Sequence, residues 1–434
     1  MDYEALLSRF DYADIRVERL QQSSIKISDG EIKQSAGSIA GIGVRVLEGG
    51  SWGFASGDLS QDPAGLLKRA ERLAKLRAGK IKLSLPKATK KNINDRFDFA
   101  DPETRLKALA ESSKDMEGKR IASKTISCSD SRRITEFYSS HGSRIIQDGG
   151  YTYLLCSCVA RTGDNIQRGT ERSWSRKGFA KIDLSVTAKA RDKADKMLDA
   201  KSPPRGRFTV VLDPEMTGVF SHEAVGHACE GDAIVDKESI LTGKMGQTIG
   251  NELVTIFDDP GADNFGRYAY DDEGAMGRKT VLVEKGVLKG NLNSMETAHE
   301  LGHAPNGHAR ADGYPSVPVV RMSNTYFQKG RASLDDVFDV KEGVYLKGMR
   351  GGSVDIFAGG FMFKSEEAYM IRNGETAELM HDVTISGSIL KTMKDVECVA
   401  KDFGTSPGMC GKNGQSVPVS DGGPHIRIRN VAIG

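Results

Sequence analysis

His222 and His227 stand five residues apart in the run Ser-His-Glu-Ala-Val-Gly-His-Ala-Cys-Glu-Gly-Asp, residues 221–232. On a regular α-helix a five-residue step rotates by about 500°, leaving the two imidazoles roughly 140° apart and unable to share one ion. A π-type turn admits one extra residue, brings positions i and i+5 to one face and is frequent at functional sites. A fold that uses both histidines on one ion must therefore contain a wide turn here. Ala224, Val225, Gly226 and Ala228 keep it compact, and Gly231 offers a helix stop. Glu223, beside the first histidine, then faces the open coordination position, the place of a general base. The plainer reading of the same residues is a buried helix with two hydrogen-bonded core histidines.

A second histidine pair tests the first. Residues 299–303 read His-Glu-Leu-Gly-His, a literal match to the zinc-peptidase helix pattern, with His308 close behind. Gly302, Pro305, Asn306 and Gly307 end any helix at or before His303, whereas such a helix must hold both ligands rigidly. The extended version of the pattern also fails, because Asn306 and Ala309 occupy its glycine and third-histidine positions. A peptidase-type zinc site needs three protein ligands and one open position. The third candidate is Cys410, in the glycine-dense segment 408–415, which is otherwise a turn around a small buried residue.

Together, residues 222–232, Arg321-Met322-Ser323-Asn324-Thr325, Cys410-Gly411-Lys412-Asn413-Gly414-Gln415 and Gly422-Gly423-Pro424 resemble the TldD (TldD/PmbA) metallopeptidase family. The resemblance runs along nearly the whole chain and includes Gly50-Ser51-Trp52-Gly53-Phe54. It implies zinc bound by His222, His227 and Cys410, with Glu223 as the base. It also implies cleavage of unfolded or small peptides in an enclosed cavity, with a TldE-like partner or as a homodimer. TldE lacks the histidine motif, so the resemblance places this chain on the catalytic side. Two other functions stay open: a non-catalytic binding or regulatory subunit, and a metal-dependent amidase acting on small molecules.

The remaining sequence bounds these readings. A length of 434 residues with 38% hydrophobic composition supports two or three domains. A net charge of +2 argues against a nucleic-acid binder driven by bulk electrostatics. The acidic start is no signal peptide and no apolar run spans a bilayer, so the expectation is a cytoplasmic protein off the membrane. Six irregularly spaced cysteines suit a reducing compartment, with Cys156 and Cys158 packing one strand face.

Helices are predicted over residues 2–10 and 62–79, with hairpin turns at Asp29-Gly30 and Gly49-Gly50 between them. A lysine-rich linker at 80–92 leads to a helix near 102–117. Strands then run from 121 to 174, broken at His141-Gly142 and Gly149-Gly150, followed by a helix near 184–200. Pro203-Pro204 marks the clearest boundary, since successive prolines stop both helix and strand pairing. Beyond it strands are predicted near 207–212, 279–290, 343–347, 353–357, 366–372 and 425–433, with short helices near 294–301, 333–339 and 388–395. The class is α+β. The division is an N-terminal α+β subdomain (1–85), a second α+β subdomain (86–203) and a strand-rich C-terminal domain (204–434) carrying the metal-site helix. His303, His308, Arg310 and Arg321 are candidates for oxyanion help. Asp232, Asp258 and Asp259 are candidates to orient a ligand imidazole. Gly-rich runs at 348–352 and 358–360 either grip an extended peptide or form bulges and turns.

Overall fold

The computed structural model describes residues 2–95 and 97–434. Its N-terminal half is organised on one sheet. Strands β1 (Tyr12–Ser28), β2 (Glu31–Glu48), β3 (Ser51–Asp58), β4 (Lys90–Asn94), β5 (Ile121–Ser139), β6 (Arg144–Thr162) and β7 (Asn165–Ser175) pair in the order β3-β2-β1-β5-β6, with β4 and β7 both on the outer edge of β6. The Asp29-Gly30 and Gly49-Gly50 turns join the first three strands, using positive φ at all four residues. Gly149 and Gly150 do not break the chain as expected: both lie inside β6. A Cβ at Gly150 would stand 2.5 Å from the Ser131 carbonyl oxygen, so close approach of β5, not a turn, requires glycine there.

Helices cover this sheet. Pro63–Lys75, capped by Asp62, packs Leu66, Leu67 and Ala70 against Ile15, Val44 and Val46. Pro102–Ser112 and Val186–Met197 cover a second cluster built on Ile126, Leu154, Cys156 and Cys158. All six cysteines are free. The linker expected to run through residue 92 gives way at Lys90, where β4 pairs in parallel with β6.

The C-terminal half carries two further large sheets, besides the short pair Ala309–Arg310 with Val319–Val320. In one, strands Glu342–Asp355, Gly206–Leu212, Ile426–Ile433, Thr384–Ser388 and Gly360–Arg372 pair in sequence, and the last returns to the first, closing a ring. The strands expected at 343–347 and 353–357 are one strand, bent by a bulge between Met349 and Gly351. The other sheet has six strands, ending in the pair Asn324–Phe327 and Gln415–Gly423 and the outermost strand Gly404–Lys412. Between these sheets lies the largest hydrophobic cluster, and the buried residues Met216, Phe220, Ala224, Val225 and Ala228 belong to it. The mixed elements, strand-rich toward the C-terminus, are of the expected α+β class. No described helix is long and apolar enough to cross a membrane.

Candidate metal centre

Asp213 begins the segment that carries the histidines. Its carboxylate accepts from the Met216 N–H at 2.8 Å, and Pro214 occupies the first helical position, so an α-helix starts cleanly at Pro214–Val219. The helix then widens into a π-helix over Phe220–Gly226. There the His227 N–H donates to the His222 carbonyl, five residues back, which puts both imidazoles on one face. Their ring centroids stand 5.1 Å apart at 84°. Glycine permits the packing around this turn. A Cβ on Gly218 would lie 2.4 Å from the Gly422 nitrogen, and one on Gly226 would lie 2.0 Å from Met322 Sδ. Gly231 is not the stop expected; it opens the short helix Gly231–Val235.

Cys410 comes from the outermost strand Gly404–Lys412, a regular hairpin with Gln415–Gly423 turned at Asn413-Gly414, where a loop was expected. Along this ribbon Cys410, Val417 and Asp421 share one face by alternation. The ligand atoms of His222, His227 and Cys410 all lie within 4.8 Å of one another. Cys410 Sγ is 3.6 Å from His227 Nε2. Among the described residues, no other group of three or more His, Cys, Asp or Glu side chains comes together in this way.

Each imidazole has a carboxylate behind it. His222 Nδ1 lies 2.7 Å from Asp421 Oδ1, an ionic contact that misses hydrogen-bond alignment. His227 Nδ1 meets Glu230 Oε2 at 3.1 Å, and Glu230 is in turn held by Lys412 Nζ at 3.0 Å. Lys412 also binds Asp232 at 2.7 Å. The carboxylates against the two imidazoles are thus Asp421 and Glu230, not the candidates Asp232, Asp258 or Asp259. Asp258 is engaged with His308 at 3.0 Å and with Ser323 and Thr325. Glu230 follows His227 by three residues, a helical spacing legible in the sequence; Asp421 carried no such signal.

The electrostatics favour positive charge in this cluster. Burial alone would lower the pKa of both histidines. For His222, Asp421 and Cys410 outweigh it and raise the pKa well above the ordinary value. For His227, Glu230 and Cys410 push it up to about 10. Burial would likewise raise the Cys410 thiol, but the two histidines bring it down to about 5. Two imidazoles and a thiolate backed by two carboxylates suit a tetrahedral divalent ion that keeps one position open. Glu223 is 34% exposed in its side chain, with Oε2 3.9 Å from His227 Nε2, so it borders the cluster on its accessible side.

The other motif does not assemble. The helix Met295–Glu300 ends at Leu301, and Gly302 with φ +69° turns the chain so that the His303 N–H caps the Ala298 carbonyl. His299 and His303 are exposed, while His308 is buried against Asn306 and Asp258. Arg310 donates to the Met322 and Pro418 carbonyls, and Arg321 to the carbonyl of Cys410. These bonds tie both arginines to the scaffold, while Arg321 Nε and Nη1 meet no acceptor among the described residues. On the face away from Cys410, Met409 and Pro418 border a cleft of about 290 Å³, whose far side includes Leu20, Arg133 and Tyr151.

Comparison with known proteins finds relatives along the whole chain. PmbA/TldA metallopeptidase domain 1 matches residues 13–77, the PmbA/TldA metallopeptidase central domain residues 94–198, and the PmbA/TldA metallopeptidase C-terminal domain residues 205–434. The chain is 41% identical to a protein named metalloprotease from Methanothermobacter thermautotrophicus, across 100% of this chain and 97% of that one. It is 33% identical to a zinc metalloprotease TldD homolog from Saccharolobus solfataricus, across 98% and 96%. The crystal structure of TldE from Thermococcus kodakarensis shares the fold, with a TM-score of 0.82 at 23% identity over 98% of this chain and 97% of that one.

Proposed function

This chain belongs to the PmbA/TldD metallopeptidase family, and we propose that it is the catalytic kind of subunit, a zinc-dependent peptidase acting on unfolded or small peptides. The observation that carries the proposal is the meeting of His222 and His227 with Cys410, 183 residues further on, around one ion-sized space. In this reading those three residues hold zinc and Glu223 is the general base. Bound zinc supplies Lewis acidity and makes water a competent nucleophile near neutral pH. Glu223 takes the proton of the attacking water and returns it to the leaving amine. Asp421 and Glu230 keep each imidazole turned so that its other nitrogen faces the ion.

A chain with the TldE fold is the partner we propose, supported by the shared architecture. The free cysteines favour a reducing compartment, the cytoplasm. The division at residues 85 and 203 remains our reading of the domains.

The test measures zinc per chain in the wild type and in Cys410→Ser, alongside hydrolysis of an unfolded protein and of short amides. Near-stoichiometric zinc that falls in the variant, with cleavage of the unfolded protein, is the expected result. Zinc unaffected by the substitution would move the site to His299, His303 and His308. Absence of zinc even after addition would leave a binding subunit, and turnover of short amides alone would leave an amidase.

A further inference from the structure

We infer that Arg321 is the positioning residue of the metal centre: its buried guanidinium grips the main chain at Cys410 and so aims that thiol at the two imidazoles. The inference rests on the metal-centre reading above and names what holds its third ligand in place.

Cys410 lies on the outermost strand of its sheet, paired on one side only, with Gln415–Gly423. Such an edge is free to twist or shift unless something fastens it. A metal ligand must stay within about 0.5 Å of its productive position. Arg321 supplies the fastening. It is fully buried, among the largest side chains in the protein that are, and Nη2 donates to the Cys410 carbonyl. Its own N–H donates to the His308 carbonyl at 2.8 Å, and His308 is pinned by Asp258, so the arginine springs from a rigid base.

The chemistry of the guanidinium argues for this role over general packing. Among the described residues Arg321 pairs with no carboxylate, and Nε and Nη1 meet no acceptor. A buried cation without a counter-charge weakens a fold. Its one described side-chain bond goes to the residue that must be placed. Arg310 grips the same ribbon one strand over, at the carbonyl of Pro418, which faces Met409 across the hairpin. Arg310 is also held through the Met322 carbonyl at 2.6 Å, next to Arg321 in the chain.

Cobalt(II) in place of zinc reads the proposal directly, because a thiolate ligand gives a sulfur-to-cobalt charge-transfer band that a histidine ligand does not. Wild type, Cys410→Ser, Arg321→Met and Arg321→Lys are titrated with cobalt, and their folding is followed by near-UV circular dichroism. Arg321→Met should bind about 10–100-fold more weakly, with a diminished sulfur band, and Arg321→Lys, which keeps a cationic N–H donor group, should recover part of both. A folded Arg321→Met with wild-type affinity and band overturns the inference. If that variant does not fold, unchanged values in Arg321→Lys overturn it. A wild type that binds cobalt without any sulfur band overturns the metal-centre reading itself.

Discussion

Glu230 holds Oε2 3.1 Å from Nδ1 of His227, and does so with its side chain almost wholly buried. Lys412 bonds the same oxygen, so the carboxylate keeps its charge despite burial; its pKa is lowered because His227 and Lys412 outweigh the desolvation. Fixing one imidazole nitrogen leaves the other for the ion. Glu230→Gln preserves the size and removes the charge, and should weaken zinc affinity about 10–100-fold. Competition against a chromophoric chelator measures this. Wild-type affinity in the variant would show that Glu230 serves only the fold.

Glu223 differs from Glu230 in exposure and in role. It borders the cluster where solvent reaches it, and among the described residues its carboxylate makes no hydrogen bond, only the 3.9 Å contact with His227. Glu223→Gln should therefore bind zinc as the wild type does and lose about 10²–10⁴-fold in peptide hydrolysis, the range of general-base catalysis. Zinc content and turnover are read on the same sample, and a zinc-replete variant that still cleaves would remove Glu223 from the mechanism.

Part of this centre was legible in the chain. The five-residue histidine spacing demanded a wide turn, because helical geometry allows no other way for both rings to share an ion, and Phe220–Gly226 supplies it. Gly302 and Pro305 disqualified the rival motif, since backbone restrictions are local and readable. Long-range partners were not. Asp421 reaches His222 only because a π-helix packs on a hairpin from the far end of the chain, and nothing local marks that meeting. Glycines misled in the same way. Gly149-Gly150 reads as a turn, yet the requirement lies at Gly150 alone, where a Cβ would meet the Ser131 carbonyl of β5 and the Phe97 ring.

Gly218 couples the two halves of the site. An added Cβ would meet the Gly422 nitrogen at 2.4 Å and the Asp421 carbonyl carbon at 2.8 Å, backbone atoms that cannot rotate away. Gly218→Ala should push the strand bearing Asp421 off the helix bearing His222. The expected cost is about 1–3 kcal/mol of stability, the range for overpacking, together with weaker zinc binding. Thermal melting and zinc titration report the two effects. A lowered melting temperature with unchanged zinc affinity would mean that the strand yields without moving Asp421.

Protons and metal compete for this cluster in a way that fixes the pH dependence. With the Cys410 pKa at about 5, the thiol is already ionised at neutral pH and gives up no proton on binding. His227 at about 10, and His222 well above its ordinary value, are imidazolium in the metal-free protein and must each release one proton to become ligands. Raised histidine pKa values make binding tighten as pH rises, and the tightening persists until His227 loses its proton near pH 10. At pH 8 the release should be about three protons per zinc, two from the imidazoles and one from the bound water, whose pKa falls to about 7. Ordinary values of 9.0 for the thiol and 6.5 for the histidines would give about two, one from the cysteine and one from the water. Calorimetric titration in buffers of different ionisation heat counts these protons. A count near two at pH 8 would mean that the carboxylates behind His222 and His227 do not hold the imidazoles charged.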